Sequence, residues 1–181
     1  MSLLRQDRLI VERPASFRSA LWNIRYRAEA YDDAGRLQAT VSERRGPVLL
    51  APVRLTDLTG CTPYRLRVHL PDGVEVLRMQ TWFSLYRPTL RVQLPGGAPL
   101  GTVRLRKTFS RRLLLHAADG SELCALHEVM SLSVAPIVQR DGRKKRRYTF
   151  QLGPAADDVT RPLAIGAALA FDVVSGRGTD L

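Results

Sequence analysis

Apolar and polar positions alternate through most of the chain, and turn residues break the alternation at regular intervals. Trp22, Ile24, Tyr26, Ala28 and Ala30 alternate with Asn23, Arg25, Arg27 and Glu29, which is the period of a half-buried strand. Asp32-Asp33-Ala34-Gly35 turns the chain, and Leu37 to Ser42 returns. Arg44 to Pro47 interrupts the pattern and Val48 to Leu55 resumes it. The unit then recurs. Tyr64, Leu66, Val68 and Leu70 alternate with Arg65, Arg67 and His69; Pro71-Asp72-Gly73 turns and Val74 to Leu77 returns. Leu90, Val92 and Leu94 lead into Pro95-Gly96-Gly97, and Thr102 to Leu105 returns with Arg104 and Arg106 outward. Leu113 to His116 leads through Ala118-Asp119-Gly120 to Glu122–Leu126, and Ser131 to Val138 leads through Asp141-Gly142 to Tyr148–Leu152. These last turns fall about 23 residues apart, the spacing of serial hairpins in an antiparallel barrel or sandwich. Residues 1–20 read as a lead-in, either a first strand or a short amphipathic basic segment.

Near the C-terminus the period changes. Residues 161–174, RPLAIGAALAFDVV, predict a helix with no polar face until Asp172. A helix that is apolar all round is buried. Pro162 suits its first turn, and Asp157, Asp158 and Thr160 offer capping oxygens before it. Ser175, Gly176 and Gly178 end it. Its length is about 20 Å, short of the roughly 30 Å of a bilayer core, so a core helix is the better reading. Burying its six large apolar side chains contributes on the order of 9–18 kcal/mol gross, an upper bound. Hairpins with apolar inner faces need something to close over, and this helix needs walls on every side. The expectation is an all-β fold with one buried helix: a closed antiparallel β-barrel around the C-terminal helix, in one domain over residues 1–181.

Composition adds a sign of charge. The chain is 45% hydrophobic and carries a net charge of +11, with an isoelectric point near 10.7. Nearly all the positive charge is arginine; only Lys107, Lys144 and Lys145 are lysine. An excess of this size favours anionic partners and is silent about fold; a GC-rich genome accounts for the arginine bias without any partner. Two cysteines, Cys61 and Cys124, make no disulfide framework, and the expected compartment is the cytosol, with peripheral contact at a membrane.

The serial turns AYDDAG, LPDG, LPGG and AADG, the segment Gly101-Thr102-Val103-Arg104 after a turn, and Arg161–Asp172 with its Gly-Ala step and late Asp together resemble the tubby C-terminal-like superfamily, in its phospholipid-scramblase and LURP-one-related branch. The resemblance spans roughly residues 20–174 and implies a closed barrel of about twelve strands around a C-terminal hydrophobic helix. The chain lacks the cysteine-rich acylation cluster of scramblases. Before the helix it keeps only Asp157 and Asp158 where they carry an acidic calcium-binding segment. Lipidation and calcium dependence are therefore not expected. The phosphoinositide-holding basic residues of tubby proteins find no residue-by-residue match.

The sharpest candidate for chemistry is Arg140, Arg143, Lys144, Lys145, Arg146 and Arg147, six cations at one hairpin tip and the start of its return strand. At about 1 kcal/mol per charge beside an anionic leaflet they amount to on the order of 6 kcal/mol. A solvated loop explains them equally well, and a nuclear-localisation or nucleic-acid patch is a third account. Arg104, Arg106, Lys107, Arg111 and Arg112 form a second cluster, for which an outward strand face is a sufficient explanation. Trp82-Phe83-Ser84-Leu85-Tyr86 reads as a strand with core aromatics, with a membrane-interface anchor or a stacking platform as the functional alternatives. His69, His116 and His127 stand singly. Cys124 and His127 lack a second ligand pair at zinc spacing, and no nucleophile elbow, P-loop or dinucleotide fingerprint occurs. The expectation is a non-enzymatic module with no cofactor, metal or transmembrane span. It binds anionic ligands, phospholipid or phosphoinositide headgroups foremost. The alternative is a scaffold that binds nucleic acid or an acidic protein.

Overall fold

The computed structural model describes residues 3–14, 26–44, 62–84, 89–105 and 112–174. In chain order they hold β1 (Arg8–Pro14), β2 (Arg27–Tyr31), β3 (Leu37–Glu43), β4 (Arg65–His69), β5 (Glu75–Thr81), β6 (Thr89–Gln93), β7 (Pro99–Leu105), β8 (Leu113–Ala117) and β9 (Glu122–Ala125). The one-turn helix α1 (Leu126–Val129), β10 (Met130–Arg140), β11 (Arg143–Leu152), α2 (Thr160–Leu169) and α3 (Phe171–Val174) follow. Every pairing is antiparallel, and the fold is all-β with few helices.

Each expected turn is a hairpin: β2–β3, β4–β5, β6–β7, β8–β9 and β10–β11. The last shows why the turn residues matter. Arg140 pairs with Arg143, leaving a two-residue loop in which Asp141 has φ 52° and Gly142 φ 70°. A loop with both central residues at positive φ matches the right-handed strand twist, and Asp-Gly is among the few pairs that adopt it readily. The lead-in resolves as strand β1, which pairs with both β11 and β2. The expected strand segments over 21–25 and 48–55 lie outside the described residues.

The strand order is β10-β11-β1-β2-β3-β4-β5-β6-β7-β8-β9. Helix α2 packs on β6, β7 and β8, near one end of that order, and also on β11, near the other. The sheet therefore wraps around the helix. Leu66, Val68, Leu77, Met79, Leu90, Val92 and Val103 line its inner face and are buried, as are Leu163, Ile165 and Leu169 of α2. The expected ring closure is not present in the pairing. Among the described residues β9 and β10 are the two ends of the sheet and are not paired. The cause is local. The chain leaves β9 directly into α1, where Glu128 Oε2 accepts the Ala125 N–H at 3.2 Å, so the two strands are joined through a helical turn and not a hairpin.

The core helix also departs from the expected single span over 161–174. It starts at Thr160. There the Asp157 carboxylate accepts the N–H of Val159 at 3.1 Å, the N–H of Thr160 at 2.7 Å and the Thr160 hydroxyl at 2.7 Å. These bonds hold the Asp157 carboxyl below its ordinary range. It breaks at Ala170 (φ −110°, ψ 22°) because the Tyr26 hydroxyl donates to the Leu169 carbonyl at 2.6 Å. Val173 then bonds back to the Ala170 carbonyl at 3.0 Å. Burial pushes the Tyr26 hydroxyl pKa up to about 12, so it stays a donor at any ordinary pH. No helix among the described residues is long and apolar enough to cross a membrane.

Candidate functional site

The basic run of the β10–β11 hairpin is not a uniform patch. Strand β11 pairs with β1, and that register sets Glu12 opposite Arg147 on the outer face. Glu12 is 1% exposed and accepts from Arg147 Nε at 2.9 Å and Nη2 at 2.7 Å. Arg140 Nε lies 3.6 Å and Lys145 Nζ 3.9 Å from its other oxygen. Lys145 donates to Glu29 Oε2 on β2 at 2.6 Å, and that oxygen also accepts the Tyr31 hydroxyl at 2.9 Å. Burial pulls the Lys145 ammonium pKa down, but the Glu29 partner outweighs it and leaves the net shift upward. Arg140 stacks on the Tyr31 ring with its guanidinium carbon 4.0 Å from the centroid. Three of the six cations, Arg140, Lys145 and Arg147, therefore hold β10, β11, β1 and β2 together. Arg146, partly buried, is engaged as well. Arg143 and Lys144 at the tip are exposed, with no carboxylate within 4 Å among the described residues.

Of the second expected cluster only Arg104 and Arg112 are described, and they stand on or beside other strands than the first. Arg106, Lys107 and Arg111 lie outside the described residues. Arg104 is exposed on β7, far from β11 in the strand order, and Arg112 is exposed just before β8. Arg104 Nη2 sits 2.7 Å from His116 Nε2. Burial first, and the Arg104 charge second, hold the His116 pKa below its ordinary value, so the ring is neutral near pH 7.

A different basic surface stands out on the outer face of β4 and β5. The register sets Arg67 directly opposite Arg78, and Arg65 opposite Gln80; Arg78 in turn faces Gln93 on β6. Arg44, just past β3, hydrogen-bonds through its backbone N–H to the Arg65 carbonyl at 2.9 Å. Arg44, Arg65, Arg67 and Arg78 line a concavity of about 400 Å³ whose polar wall also includes Gln80 and Gln93. Directly opposite residues have Cβ atoms roughly 5 Å apart, so the two guanidinium charges share one small area of the face and repel. Long guanidinium side chains splay to reduce this. Glu75 relieves part of it, because its carboxylate accepts from Arg78 Nε and lies 3.5 Å from Arg67 Nη1. Among the described residues one carboxylate serves these four arginines, which leaves an excess of guanidinium N–H donors. Trp82 borders the concavity and is 55% exposed; Phe83 beside it is 61% exposed. That corrects the expectation of core aromatics at these two positions. Both follow the end of β5 at Thr81, whose inward hydroxyl accepts the Tyr64 N–H at 2.9 Å, and the chain leaves the sheet there. Leu85 and Tyr86 lie outside the described residues.

The register pairing of Arg67 with Arg78 was hidden in the sequence. The alternation of β4 showed Arg65 and Arg67 as outward, but which residues of β5 face them depends on the turn length. The signal available was the three outward arginines at Arg65, Arg67 and Arg78 on either side of one short turn.

A third cluster is internal. Arg13 Nη1 donates to the Asp172 carboxylate, and the Tyr148 hydroxyl donates to its other oxygen at 2.9 Å. Arg13 lies over the Tyr26 ring, 4.3 Å from the centroid. Asp172 is 4% exposed, so this constellation ties α3 to β1 and β11 rather than offering a binding site. Among the described residues no group of three or more His, Cys, Asp or Glu side chains is placed to hold a metal ion. No family model matches the chain, and neither the curated proteins nor the solved structures include a match to it.

Proposed function

We propose that the chain is a non-enzymatic binding module for anionic ligands, with phospholipid and phosphoinositide headgroups at a membrane surface as the ligand class. The observation that carries this reading is Arg67 set directly opposite Arg78 in a concavity also lined by Arg44 and Arg65. A multiply charged phosphate placed there removes the like-charge repulsion and accepts several guanidinium N–H bonds, and guanidinium forks match phosphate oxygens bidentately. Arg143 and Lys144 at the hairpin tip add general attraction to an anionic leaflet. The accompanying fold proposal is a tubby-like barrel around its central helix, left open between β9 and β10 among the described residues. Its support is the meander of antiparallel hairpins and the packing of α2 against strands from both ends of the sheet.

Titration calorimetry with inositol trisphosphate tests the site without a membrane. The wild-type chain is expected to bind it, more weakly as salt rises. Each charge-assisted hydrogen bond is worth about 1.5–3 kcal/mol, so Arg67→Ser with Arg78→Ser lowers the affinity by at least about tenfold. Equal heats for wild type and variant would remove the concavity as the site. The exposed ring of Trp82 favours a second reading, a nucleic acid whose base stacks on it. A single-stranded oligonucleotide that binds more tightly than inositol trisphosphate, and loses affinity in Trp82→Ala, would select that reading.

A further inference from the structure

Among the described residues strand β10 is an end of the sheet and pairs with β11 alone. Its register places Leu132 opposite Phe150 and Val134 opposite Tyr148. Opposite residues share a face, and Phe150 and Tyr148 are buried on the core side. Yet Leu132 is 40% exposed and Val134 58%, while Ile137, in the bulged stretch between Ala135 and Val138, is 59% exposed. The core face of this edge is left uncovered. Natural edge strands are usually guarded by charge, but no charged residue occurs from Met130 to Gln139. Pro136 is the one guard, since it lacks an N–H, and it confines any added strand to Met130–Ala135. The opposite end of the sheet, β9, has four residues against eleven in β10, so it is too short to cover this edge.

From these observations we propose that β10 receives an extended segment of an acidic partner protein, which adds as an antiparallel strand along Met130–Ala135. Alternate apolar side chains of that segment cover Leu132 and Val134, and main-chain hydrogen bonds supply the register. Charge selects the partner. The exposed cations Arg143 and Lys144 stand at the C-terminal end of β10, roughly 17 Å beyond Ala135 at the rise of a strand. An antiparallel segment begins at that end, so its acidic residues precede its apolar alternation. A second copy is the poorer occupant, because each chain carries a net charge of +11.

The test uses the full chain and a synthetic peptide that opens with glutamates, continues through a short polar spacer and ends in alternating valine and threonine. Its control is a peptide of the same composition in scrambled order. Fluorescence anisotropy is expected to register binding of the ordered peptide alone. Val134→Lys changes an exposed side chain, so the fold is kept, and circular dichroism checks this. That variant lowers affinity about tenfold or more. Arg143→Glu with Lys144→Glu also weakens binding and flattens its salt dependence. Equal binding of both peptides, or no effect of Val134→Lys, overturns the proposal. So does a sedimenting mass of twice the chain that Val134→Lys halves, which assigns this edge to a contact between copies.

Discussion

Asp172→Ala is expected to destabilise the chain by about 3–5 kcal/mol, because removing one partner of a buried ion pair strands the other charge. Asp172 accepts from Arg13 and from the Tyr148 hydroxyl, and its carboxylate is 4% exposed. Without it the Arg13 guanidinium keeps a side chain only 18% exposed, and its Nε already lacks a partner among the described residues. A domain of this size has about 5–15 kcal/mol in total, so the loss is a large part of it. In urea melts the midpoint should fall by about 2 M at an ordinary slope. The double variant Arg13→Met with Asp172→Leu separates charge from packing. Replacing both ions by apolar groups is often neutral, so the double variant should recover most of the loss. A midpoint unchanged in Asp172→Ala would show that the pair does not hold α3 to the sheet.

Gly101→Ala is expected to be comparably severe, at about 2–6 kcal/mol. Gly101 sits on β7 at φ 153°, and a Cβ built there would lie 2.1 Å from the His116 carbonyl oxygen and 3.0 Å from Leu163 Cδ1 of the core helix. The Leu163 methyl can shift, but the β8 backbone cannot yield without breaking the ladder between β7 and β8. Forced overpacking costs about 1–3 kcal/mol, and a non-glycine residue in this backbone region a similar amount. Gly166→Ala is the internal control. A Cβ at Gly166 lies 3.2 and 3.3 Å from the Val92 methyl carbons, which can shift by a few tenths of an ångström. Its cost should stay below about 1.5 kcal/mol. Thermal melts that rank the two alanine variants the other way would contradict the close approach of β7 to β8 and α2.

Local chemistry was legible in this sequence, and long-range pairing was not. The alternation around Leu66 and Val68 and turns such as Asp141-Gly142 announced the hairpins, because period and turn residue act within a few positions. The helix over Leu163–Leu169 was equally plain, since nothing in it is polar. Its break at Ala170 was invisible: the cause is the hydroxyl of Tyr26, 143 residues away from Leu169 in sequence. The ion pairs that engage part of the basic run were invisible for the same reason. Its neutralising partners Glu12 and Glu29 lie 135 and 116 residues from Arg147 and Lys145, on strands whose placement beside β11 no local pattern reveals. The arginine face was half legible: Arg65 and Arg67 read as outward, but their meeting with Arg78 is a property of register. The late Asp172 was noticed as a residue type without a role, because Arg13 and Tyr148 come to it from β1 and β11.

Co-sedimentation with liposomes tests the central proposal most directly. Neutral vesicles and vesicles carrying phosphoinositide are compared at low and moderate salt, with wild type, Arg67→Ser/Arg78→Ser and Arg143→Ser/Lys144→Ser. The predicted result is that wild type pellets only with phosphoinositide vesicles. The first variant stays in the supernatant, and the second is merely weakened, by about 1 kcal/mol per charge removed. Recovery of the wild type in the supernatant throughout, or pelleting of Arg67→Ser/Arg78→Ser as efficiently as wild type, would contradict an arginine face that holds a phosphorylated headgroup.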